Sequence, residues 1–70
     1  MMPCEERDRL LDDYVARARE FSDAVERLRR CGHSQDVEAF IHALDEAGRL
    51  HRRCERSRIQ VDKHLAEHGC

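Results

Sequence analysis

His51 and Cys54 stand three residues apart, the spacing that puts an imidazole and a thiol on one face of a helix. Together they would supply half of a tetrahedral zinc site, and a second copy across a two-fold axis would complete it. His64 and His68 form a second pair one helical turn apart, with Cys70 two residues beyond. A thiolate beside two imidazoles favours zinc among the transition metals. Arg49, Arg52, Arg53 and Arg56 share one helical face, with Arg58 close behind, and residues 49–58 carry five Arg against one Glu. Such a stripe is a candidate anion-binding surface that could grip the phosphates of a nucleic acid.

Each pattern has a simpler structural account. His51 can donate to or accept from the Tyr14 hydroxyl while Cys54 packs as a small hydrophobe, and no Cys-x-x-Cys accompanies them. His68 lies where a helix end offers free carbonyls and a negative dipole end to an imidazole. The arginines have acidic neighbours to pair with in Asp8, Asp12, Asp13 and Glu20, and no aromatic side chain is interleaved with them to stack bases. A di-iron bundle needs Glu-x-x-His, which occurs nowhere in the chain. No nucleophile with its base and orienting group is visible, and there is no glycine-rich phosphate loop. The sequence therefore predicts no enzyme, no cofactor and no resident metal. His51, Cys54, His64, His68 and Cys70 remain the residues to watch for one.

Composition sets the frame for these residues. Seventy residues make one domain at most, and 40% of them are charged, against about 25% in an average soluble domain. The formal charge of −2 gives no global attraction to nucleic acid or anionic membrane. No apolar run approaches the roughly 20 residues of a membrane span. The first residues, Met1-Met2-Pro3-Cys4-Glu5-Glu6, have neither the basic nor the apolar region of a signal peptide. A cytoplasmic location follows as the expectation, with the four cysteines as thiols or ligands rather than bridges.

The elements are legible from periodicity. Nothing breaks a helix between Cys4 and Arg30, and Glu5, Glu6 and Asp8 suit the positive end of its dipole. Gly32 reads as the left-handed residue closing that helix, and Ser34 as the N-cap of the next. The spacing predicts one domain over residues 1–70: helix 4–30, turn 31–34, helix 35–68. Cys4, Arg7, Leu11, Tyr14, Ala18, Phe21, Val25 and Leu28 trace one seam. Val37, Phe40, Leu44, Ala47, His51, Cys54, Arg58, Val61, Leu65 and His68 trace the other. Folded at the turn, Val25 meets Phe40, Phe21 meets Leu44, Ala18 meets Ala47, Tyr14 meets His51 and Leu11 meets Cys54. Ala18, Ala47 and Gly48 would make a pinched level where the helix axes approach closely. Leu10, Val15, Ala24, Ile41, Ala43 and Leu50 flank these seams, and a hairpin by itself would leave them wet.

Those flanks, with Leu10, Val15, Ile41 and Leu50 foremost, predict a homodimer closing into a four-helix bundle. In a dimer with loops at opposite ends, Cys31 of one copy would approach Cys4 and Cys70 of the other, close enough for intersubunit disulfides. The architecture resembles the small plasmid-copy-control RNA-binding proteins built as dimers of helical hairpins. Tyr14, the run Phe21-Ser22-Asp23-Ala24-Val25 and the closing Leu65-Ala66-Glu67-His68-Gly69-Cys70 are similar to short, uncharacterised bacterial helical-hairpin proteins ending in His-Gly-Cys. That resemblance spans most of the chain and implies no activity. The expectation is a non-enzymatic, self-associating structural or adaptor module with a protein partner. The alternatives are a small RNA- or DNA-binding dimer using Arg49–Arg58, and a metal or redox module using the His/Cys pairs.

Overall fold

The computed structural model describes residues 5–68 and consists of two helices folded back on each other, α1 (Glu5–Gly32) and α2 (Val37–His68). Among the described residues there is no strand. Glu5, Glu6 and Asp8 occupy the first turn of α1, and Arg29 and Arg30 its last, so both ends of its dipole meet opposite charge.

The turn falls at residues 33–36, two residues later than the glycine suggests. Gly32 lies inside α1 with an ordinary right-handed backbone, and a Cβ there would meet Phe40 Cε2 at 3.9 Å, a normal contact. The helix is closed instead by tight bonds from His33 N to the Arg30 carbonyl at 3.2 Å and from Ser34 N to the Cys31 carbonyl at 3.0 Å. Asp36, not Ser34, caps α2: its Oδ1 accepts from Ala39 N at 3.1 Å while its carbonyl accepts from Phe40 N at 3.2 Å. Ser34 braces the cap one step back, its Oγ accepting from Asp36 N at 3.0 Å.

The seam runs one edge over from the predicted one. On α2 the buried residues are Ala47, Leu50, Cys54, Ser57, Val61 and His64, in strict alternation of three and four. On α1 Ala24 is buried, and Leu10, Tyr14, Arg17, Phe21, Leu28 and Cys31 are half-buried along the same line. Leu50, expected to stay wet, is 8% exposed and belongs to the core cluster with Ala24 and Ala47, against which Phe21 and Leu28 pack. Leu11, Val25, Leu44 and Leu65, expected inside, are exposed. Both helices carry three apolar positions per heptad, and the predicted line followed the edge that two helices leave uncovered.

The register differs by a whole repeat. Phe21, rather than Tyr14, meets His51, with ring centroids 5.0 Å apart at 55°. A shift of seven residues is two full turns and returns the same pattern to the same face, so hydrophobic periodicity cannot distinguish the two alignments. Gly48 is likewise off the seam. A Cβ there would find only Arg52 Nη1 at 3.7 Å, so the close level is made by Ala24 and Ala47, not by Gly48 and Ala18.

Two expectations follow, both measurable by thermal or urea unfolding. Asp36→Ala should cost about 0.5–2 kcal/mol through loss of the cap, with a smaller loss for Ser34→Ala. Gly48→Ala should stabilise the chain by about 0.4–1 kcal/mol, because the site has room and the unfolded chain loses freedom.

Candidate interaction surface

The two flanks of the hairpin differ in character. On one flank charged side chains bridge the helices. Arg27 Nη2 donates to Glu46 Oε1 at 2.9 Å, and Arg53 Nη1 lies 3.7 Å from Glu20 Oε2. Ser57 Oγ donates to Asp13 Oδ2 at 2.8 Å, which satisfies the buried serine hydroxyl of the seam. Arg17, at a seam position, lays its stem against the neighbouring helix and turns its guanidinium to Asp13 at 3.7 Å and Glu20 at 3.4 Å.

Stepping two residues back from Asp13, Glu20 and Arg27 rotates about 200° around the helix and reaches Leu11, Ala18 and Val25. The same step from Glu46 and Arg53 reaches Leu44 and His51. This second flank is apolar and open. Leu11 is 39% exposed, Val15 45%, Val25 42%, Ile41 50% and Leu44 50%. Val37 and Phe40 continue it at the loop end and Leu65 at the other. On α2 it is interrupted by Glu55, Arg58 and Asp62, where Arg58 donates to Glu55 at 3.1 Å and to Asp62 at 2.9 Å. The hydrogen bond to Glu55, then the charges of Glu55 and Asp62, raise the Arg58 pKa above its ordinary value. The mirror case sits on α1, where the hydrogen bond from Arg29 and then its charge hold the Glu26 carboxyl below the usual carboxylate range.

Of the four residues expected on an interface, Val15 and Ile41 lie exposed on this flank, Leu10 is half-buried and Leu50 is inside the hairpin. Leu11, Val25 and Leu44 belong to the flank and were assigned to the seam. The signal that could have separated them is the charge pattern two residues away, where Glu20, Arg27, Glu46 and Arg53 offer opposite charges for bridges across one flank of the seam.

The chemistry-bearing residues are dispersed. Cys54 is buried on the seam as a free thiol, while His51 projects to the open flank against the Phe21 ring. The His51–Tyr14 contact is replaced by that stacking because of the heptad shift. The rings of His64, buried, and His68 stack at 4.6 Å and 37°. Among the described residues no three His, Cys, Asp or Glu side chains gather as a metal site. Cys31 is a half-buried free thiol in the last turn of α1, and Cys4 and Cys70 lie outside the described residues, as does any contact they make.

The arginine stripe also divides. Arg53 pairs with Glu20 across the hairpin and Arg58 pairs within α2, whereas Arg49, Arg52 and Arg56 form no ion pair among the described residues. The expected bridges from these three to Asp8, Asp12 and Asp13 do not form, because the seam through Leu50, Cys54 and Ser57 leaves them on the outward side of α2. Arg49 and Arg52 border a shallow cleft with His42, Asp45 and Glu46, whose two carboxylates oppose phosphate. Among the described residues no helix is long and apolar enough to cross a membrane.

No family model matches this chain, and neither a curated protein nor a solved structure is similar to it.

Because Arg49, Arg52 and Arg56 form no ion pair among the described residues, replacing all three with Gln should leave the unfolding free energy within about 0.5 kcal/mol per substitution of the parent. A larger loss, measured by urea unfolding, would show that the stripe is structural.

Proposed function

We propose that this protein is a non-enzymatic, self-associating helical module, a structural or adaptor component that acts in the cytoplasm as a homodimer of hairpins. The single observation supporting the reading is the flank of Leu11, Val15, Val25, Ile41 and Leu44, apolar and open beside a flank closed by ion pairs. The surface area points the same way. The chain exposes 5595 Å², against about 4,600 Å² for a compact monomer of 8.3 kDa. The surplus reflects the elongated shape, 57 × 15 × 10 Å, which leaves a long flank of each helix in water. A core of Ala24, Ala47, Leu50, Cys54 and Val61, with no large side chain fully buried among the described residues, offers little reason for a lone hairpin to persist.

A second copy supplies the same apolar flank and covers both at once, which makes the four-helix bundle the closed solution. The scattered His and Cys residues and the carboxylates beside Arg49 and Arg52 give less support to metal or phosphate binding. Sedimentation of the wild-type chain at micromolar concentration should give twice the 8.3 kDa mass of one chain. Ile41→Lys with Leu44→Lys should raise the dissociation constant by at least about 100-fold. A wild-type chain that sediments as a folded monomer would overturn the reading.

A further inference from the structure

We infer that the partner copy docks with its loop at the opposite end, about a two-fold axis that crosses α1 at Ala18. This rests on the self-association proposed above and specifies its geometry. The open face of α1 carries Asp8, Leu11, Val15, Ala18, Ser22, Val25 and Arg29, spaced alternately by three and four. The spacing of the series is symmetric about Ala18 to within one residue, with Val15 on one side answered by Ser22 on the other. Leu11 and Val25 stand seven residues to either side, Val15 and Ser22 flank it within one turn, and the ends are a carboxylate and a guanidinium. Reversing a second copy on this face sets Leu11 against the partner copy's Val25 and Ala18 against its own counterpart. Asp8 then meets Arg29 of the partner copy at both ends, so the charges agree only when the two α1 helices run antiparallel.

The same axis serves α2. The contacts Glu20–Arg53 and Asp13–Ser57 bracket Ala18, so its level on α2 falls near residues 54 and 55. Leu44 and Leu65, both exposed, lie symmetrically about that point and come together across the axis. Glu55 and Arg58 of the two copies gather around it with opposite charges within reach. The other face-to-face arrangement puts both loops at one end and lays α1 on the partner copy's α2. Leu11 and Val15 would then cover Glu55, Arg58 and Asp62, which lose water and gain no new polar partner.

The two arrangements separate by distance. A nitroxide at Gln35→Cys, in a chain whose four native cysteines are replaced by alanine, should give an intermolecular distance of about 50 Å. That is twice the axial rise from Ala18 to the turn. A distance under about 25 Å would overturn the loops-opposite arrangement while leaving the dimer standing. No intermolecular coupling, with a monomer in sedimentation, would overturn the self-association itself and this inference with it. The unmodified chain provides a second measurement that does not depend on the cysteine replacements. In a sample mixing isotope-labelled and unlabelled chains, intermolecular NOEs should connect the methyls of Leu11 and Val25. Intermolecular NOEs from Val25 to Leu44 in their place would show the loops together.

Discussion

Two helices in contact can cover only one line along each other's length, and the rest of this molecule follows from that limit. Each helix here carries an apolar stripe three positions wide per heptad. The hairpin buries two of the three, with Ala24, Ala47 and Leu50 as its tightest level. The remaining edge, from Leu11 to Val25 and from Ile41 to Leu44, has no partner within the chain. Alanines at the contact bring the axes together but contribute little buried area, so the seam is narrow and adds modest stability.

Charge selects which edge becomes the seam. Arg27–Glu46 and Glu20–Arg53 span the helices on one flank, and Ser57–Asp13 reaches inward from the same side. Individually such exposed pairs contribute at most about 1 kcal/mol. Their effect is on choice rather than depth, because rotating both helices to bury Leu11 and Leu44 would separate every one of them. A polar seam residue such as Ser57 is tolerated for the same reason, since its partner Asp13 stands on the closed flank.

Among the described residues, those with metal-binding chemistry do not converge. His51 and Cys54 share a helix face in sequence terms, yet one ring stacks on Phe21 over the open flank while the thiol is enclosed by the seam. Arg49, Arg52 and Arg56 point outward beside carboxylates of their own helix. The proposed self-association draws on the open apolar face of Leu11, Val15, Val25, Ile41 and Leu44 rather than on an enclosed cavity.

Sequence alone determined that the chain is two long helices joined by one short turn near its middle, because periodicity, charged ends and the absence of interior proline are local properties. It also determined that more apolar surface exists than a hairpin can bury. It did not determine which edge of each stripe would face inward, where the turn would close, or which repeat would meet which. A heptad pattern looks the same after a shift of seven residues, and a three-position stripe offers two seams of nearly equal hydrophobicity. Tertiary structure decided among them through contacts remote in sequence. Phe21 meets His51, and arginines on one helix find glutamates on the other. The open flank was half legible for the same physical reason: Val15 and Ile41 lie exposed on it, while Leu50 and Leu44 exchanged roles when both helices turned by about half of one residue's rotation.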